Sequence, residues 1–104
     1  MNILEETKRI RRHLHMYPEL GFDLEQTAKY LETYLNNIGL TTERTAGTAV
    51  ITYISGKDSS KPLLAVRSDM DACSVQEEND FEFKSRRAGI MHACAHDGHM
   101  AVLL

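Results

Sequence analysis

The spacing of apolar residues changes period once along this chain, at Gly39, and that change restricts its fold more than any other feature. Before it, Leu24, Ala28, Leu31, Leu35 and Ile38 recur at steps of four, three, four and three, the repeat of one helix face. The spacing predicts a helix over 24–38, with Asp23 as N-cap, Gln26 completing a capping box and Gly39 at the left-handed C′ position. Upstream, Ile3, Ile10, Leu14 and Tyr17, with Thr7 filling the gap, predict an amphipathic helix over 2–17. Pro18 ends it, because proline disfavours helical geometry in the residue before it. After Gly39 the composition turns to Thr, Val, Ile and Tyr, so 41–45 and 49–55 read as two strands around Ala46-Gly47-Thr48. Leu63-Leu64-Ala65-Val66 is a continuous apolar run, the pattern of a strand buried on both faces in a sheet covered by helices. This order of elements predicts an α/β layered domain. Asp97 is placed to cap a last helix from about residue 98.

A chain of 104 residues with 42% apolar content allows one small domain with a modest core and no second domain. The net charge of −3, with acidic and basic residues interspersed, offers no patch for a phosphate backbone, so nucleic acid is not an expected partner. The basic pairs Lys8-Arg9, Arg11-Arg12 and Arg86-Arg87 read as solvated surface. No apolar run approaches a membrane span, and the N-terminus has neither a signal core nor the acid-poor composition of a transit peptide. Two cysteines make no disulfide framework, which points to a reducing compartment, the cytoplasm by default. The final Met100-Ala101-Val102-Leu103-Leu104 lacks a helix stop signal, and the chain reads as a domain cut short.

Residues 91–99, Met-His-Ala-Cys-Ala-His-Asp-Gly-His, carry the chemistry. Three of the five histidines and one of the two cysteines fall within eight positions there. Imidazole, thiolate and carboxylate are the side chains that hold borderline-soft divalent metals. Cys94 and His96, one residue apart, project to one side of an extended segment and are the expected ligand pair. A helix start at Asp97 would favour the Cys94 thiolate. His92 and His99 read as ligands or, more simply, as hydrogen-bonded neighbours that orient one. Asp69 and Asp71, two apart after the apolar run, would point the same way at the carboxyl end of a sheet strand, where open α/β sheets place their sites. The charged stretch 72–91, with Gln76-Glu77-Glu78-Asn79-Asp80, is long for an idle loop. His13 and His15 have no partner visible in the sequence and read as surface or packing residues, and Cys73 as a small buried apolar one.

Four blocks resemble the amidohydrolase and aminoacylase family that includes hippurate hydrolases and plant auxin-conjugate hydrolases. They are Arg11-Arg12-His13-Leu14-His15-Met16-Tyr17-Pro18-Glu19-Leu20-Gly21-Phe22, Arg67-Ser68-Asp69-Met70-Asp71-Ala72, Gln76-Glu77-Glu78-Asn79 and residues 91–99. Their order and spacing match the start of that family over nearly the whole chain. Two departures stand out: Ala95 replaces the glycine usual between Cys and His, and Cys73-Ser74 replaces the usual Leu-Pro.

The resemblance implies the N-terminal portion of a layered zinc-peptidase-like catalytic domain, with two helices, a β-hairpin, a buried strand and the start of a further helix. It implies a site of two divalent ions that hydrolyses the amide of N-acyl amino acids. Zinc or manganese would suit it, with cobalt or nickel open, and a homo-oligomer is compatible with it. By position Cys94 and His96 match metal ligands, Asp71 matches the aspartate that orients the site, and Asp69 shares its block. The remaining ligands and the general-base glutamate lie further along a chain several times longer, so residues 1–104 alone are expected to be inactive. The competing readings are a non-catalytic metal-binding or interaction fragment needing a partner chain, and a structural domain that binds nothing.

Overall fold

The computed structural model describes residues 1–104. Asn2 opens the first helix, α1 (Ile3–Met16), by accepting a hydrogen bond from the Glu5 backbone nitrogen at 3.2 Å. Glu5 and Glu6 in its first turn suit the positive end of the helix dipole, and Tyr17-Pro18 ends it as expected. Its buried face is Ile10, Leu14 and His15, whereas Ile3 stays exposed to solvent.

The second helix, α2 (Glu25–Asn37), begins differently from the expected capping box. Asp23 does not cap it; its backbone nitrogen closes a turn onto the Leu20 carbonyl. The free amides of the first turn are taken by the buried Glu19 carboxylate, which accepts from Thr27 at 2.6 Å and Gln26 at 3.3 Å. The other end follows the expectation. Gly39 adopts φ +93°, its nitrogen donates to Asn36 and that of Leu40 to Leu35, the paired bonds of a Schellman motif. Leu24, just before this helix, and Ala28 and Leu31 along it are buried.

Two strands follow, β1 (Thr42–Thr45) and β2 (Ala49–Thr52), antiparallel with Thr42 opposite Thr52 and Thr45 opposite Ala49. The backbone is left-handed at Ala46 and Gly47 in the turn between them. Residues 53–55 fall outside β2 because the register brings them past the start of β1. Arg44 fastens the hairpin to α2 through Glu25 and Glu32.

The buried strand expected at 63–66 does not form. The sheet has only β1 and β2, so no neighbour accepts the backbone groups of this run and no helix covers it. Leu63 is 91% exposed and Leu64 87%.

The last helix, α3 (His96–Leu103), starts two residues earlier than Asp97 as a cap would require, after Ala95 in a left-handed conformation at φ +65°. It packs against α1, and Ile10, Leu14, Leu31, Met100 and Ala101 make the central cluster, flanked by Tyr30, Tyr34, Val50, Met70 and Leu104. No helix is long and apolar enough to cross a membrane.

Candidate metal centre

The site lies where α3 starts. His96, its first residue, presents Nδ1 to the Asp71 carbonyl oxygen at 2.8 Å and to Asp71 Oδ1 at 3.2 Å. A ring nitrogen facing a carbonyl acceptor can only donate, which assigns the proton to Nδ1 and leaves the Nε2 lone pair free in the neutral ring. Nε2 faces Asp69 Oδ2 at 3.8 Å. The two aspartates thus flank opposite nitrogens of one imidazole, and the sheet strand at whose end they were expected to point the same way is absent. Asp69 is also held by Arg67 at 2.6 Å.

Cys94 is exposed, two residues before His96, and its sulfur lies 3.1 Å from that of Cys73. Cys73 is therefore not the buried apolar residue expected. It is half-buried and paired, in an isolated antiparallel bridge with Met91 that brings the two segments together. The thiol contact with Cys73 pushes the Cys94 thiol above its ordinary range, because ionisation there must sacrifice that hydrogen bond and place charge beside a second sulfur and near Asp71. A lowering by the helix start, expected from Asp97 as a cap, is not what this geometry produces.

His92 is buried with neither ring nitrogen hydrogen-bonded, and burial pushes it below the usual histidine range. His99 is exposed, its ring 6.0 Å from that of His96. No three His, Cys, Asp or Glu side chains in this chain are placed to hold an ion by themselves. The donor types still suit a borderline-soft ion: a sulfur, an imidazole nitrogen with its other nitrogen fixed by a carbonyl, and carboxylate oxygens.

Behind the site is a buried network that sequence reasoning missed. His15 is 1% exposed and sets Nδ1 2.8 Å from Asp97 Oδ2 and Nε2 2.9 Å from Glu77 Oε2. Each ring nitrogen of His15 thus faces a buried carboxylate. Arg11 adds its guanidinium on Asp97 Oδ2 at 2.9 Å. The Glu77 carboxyl lies below its ordinary value: burial pushes it up, but hydrogen bonds from His15, the Ser85 amide and Asn79 outweigh that. Phe81 and Phe83 stack on each other and turn edges to the His15 ring, while Arg12 lies over Phe83. Arg11 and Arg12 are thus part of the site's support, unlike Lys8 and Arg9, which pair with Glu5 and Glu6 on the surface. His13 stacks on Tyr30. The available signal was Arg11 and His15 at i and i+4, beside the apolar stripe of Ile10 and Leu14.

Residues 65–104 match the profile of Peptidase family M20/M25/M40. An N-acyl-L-amino acid amidohydrolase of Geobacillus stearothermophilus is 47% identical over 95 residues, 90% of this chain and 25% of that protein. An uncharacterized hydrolase of Staphylococcus epidermidis is 43% identical over 104 residues, 100% of this chain and 27% of that protein. The crystal structure of Bacillus subtilis YXEP, a dinuclear metal binding peptidase from the M20 family, superposes with a TM-score of 0.89 at 35% identity, covering 95% of this chain and 28% of that one. The family resemblance and the mixed α/β class read from the sequence are borne out by these matches. The chain spans about a quarter of the length of the curated relatives it matches.

Proposed function

We propose that residues 1–104 form part of the catalytic domain of an M20-type, metal-dependent amidohydrolase that cleaves the amide of N-acyl amino acids. The observation that carries this reading is the His96 ring, fixed through Nδ1 by Asp71 and offering Nε2 beside Asp69, two residues after the Cys94 sulfur. The relatives support it by name: an amidohydrolase acting on N-acyl-L-amino acids and a peptidase that binds two metals.

In this reading Cys94 and His96 hold a divalent ion, and Asp71 fixes the ring so that Nε2 faces it. Asp69 supplies a further carboxylate at the same edge. An ion bound there would polarise the amide carbonyl and acidify water. Sulfur and imidazole favour zinc, while the carboxylates admit manganese, and cobalt or nickel can follow supply. The other ligands, the second ion's partners and the general base come from outside these residues, so the chain alone turns nothing over. The exposed Leu63, Leu64 and Val66 support this partial-domain reading, since they have the pattern of a sheet strand and lack the sheet. A reduced Cys94 suits a cytoplasmic enzyme. A homo-oligomer, with any dimerisation domain elsewhere in the longer protein, is part of the same proposal.

The test is elemental analysis for metal on the purified chain and on Cys94→Ala, together with an assay on a panel of N-acyl amino acids. Metal present in the first and lost in the second, without turnover, is the expected result. Turnover by the 104-residue chain that Cys94→Ala abolishes would overturn the claim of incompleteness. Metal absent from both would overturn Cys94 and His96 as a pair able to hold an ion unaided.

A further inference from the structure

We propose that Cys73 and Cys94 are a modification site: a hydroperoxide joins them in a reversible intramolecular disulfide that withdraws the Cys94 sulfur from metal binding. The withdrawal rests on the reading of Cys94 as a ligand, whereas the disulfide rests on the geometry alone.

The two sulfurs are 3.1 Å apart, although 21 residues separate them in the chain. Their segments are clamped side by side by the bridge at Cys73, whose nitrogen donates to the Met91 carbonyl at 2.9 Å and whose carbonyl accepts from Met91 at 3.0 Å. Cys94 follows three residues later on the clamped segment, so bond formation needs a small movement of 92–95 and no rearrangement of the fold. Cys94 is exposed and Cys73 half-buried, which lets a small oxidant reach one sulfur while the other waits beside it. The exposed sulfur can take the oxygen and the adjacent half-buried one can resolve it.

The chemistry balances without any group beyond the peroxide. The Cys94 sulfur attacks one peroxide oxygen, the O–O bond breaks, and the thiol proton leaves with the departing oxygen as an alcohol or water, leaving Cys94 as a sulfenic acid. The Cys73 sulfur then attacks the Cys94 sulfur, and the sulfenic oxygen leaves as water with the Cys73 proton. Two thiols lose two protons and two electrons, and the peroxide takes both. A dithiol reverses the step by exchange.

The test treats the purified chain, free of metal, with hydrogen peroxide and follows free thiols and intact mass. The proposal expects both thiols to vanish together, a mass lower by two hydrogens, a monomer on a non-reducing gel, a peptide linking residues 73 and 94, and full recovery with dithiothreitol. In Cys73→Ser, Cys94 should instead gain oxygen. Oxygen accumulating on Cys94 in the unmodified chain, or covalent dimers with Cys73 still free, would overturn the disulfide. A second arm adds zinc ion first, which should leave both thiols titratable over the time in which the metal-free chain loses them. Cross-linking at an unchanged rate in that arm would leave the disulfide standing and overturn Cys94 as a ligand able to hold zinc within these residues alone.

Discussion

His15 joins three parts of the chain with one ring: α1, the loop bearing Glu77 and the first turn of α3. Removing one member of such a buried set leaves an unpaired charge, so His15→Gln should destabilise the protein by about 3–5 kcal/mol, read from its urea midpoint. Glu77 makes the network sensitive to acid. Its carboxyl lies below the ordinary value in the folded state, so its contribution is complete at neutral pH and is lost as pH falls below about 4.3. Glu77→Gln should therefore be less stable than the parent at pH 7, and its stability should fall less steeply in acid. Ala95 carries the opposite burden. A left-handed alanine costs about 1–2 kcal/mol, and Ala95→Gly should recover about 1 kcal/mol in a thermal melt. Its position between Cys94 and His96 was readable, and so was the departure from glycine; the left-handed backbone was not. Nor was the role of His15, because its partners lie 62 and 82 residues away and no local pattern records them.

The helices were legible to within a residue or two wherever local chemistry sets them. Gly39 ends α2 as its sequence indicates, because a Schellman motif uses only neighbouring residues. The start of α2 was misread, since a capping side chain can come from outside the local window. Glu19→Ala should cost about 1–2 kcal/mol in chemical denaturation. Asp23→Ala, which leaves the helix amides untouched, should stay within about 0.5 kcal/mol. The apolar run 63–66 shows the complementary limit: its pattern states what it would bury, but a strand needs neighbours, and these 104 residues supply only the β1–β2 hairpin. In the candidate site, Asp69, Asp71 and His96 could each be singled out by residue type and spacing, but that both aspartates meet one ring depends on the fold. The Cys73 contact was not, because it depends on the bridge to Met91.

As a whole the molecule has a slight interior. Fifteen of 104 residues are buried, six of them polar or charged, so the polar network makes up a large share of that interior. Apolar side chains remain outside, with Leu63, Leu64 and Val66 close together in sequence. The chain should self-associate with rising concentration in sedimentation velocity, and Leu63→Lys with Leu64→Lys should shift it towards monomer. The contact between His15 and Asp97 also sets an order of events during synthesis. An imidazole made in the first fifth of the chain meets its carboxylate only after residue 97 has emerged from the ribosome, and closing so long a loop is entropically slow. Until then α1 must hold a polar side chain facing its own apolar stripe, and its docking becomes a late step that waits for translation rather than a nucleus that guides it.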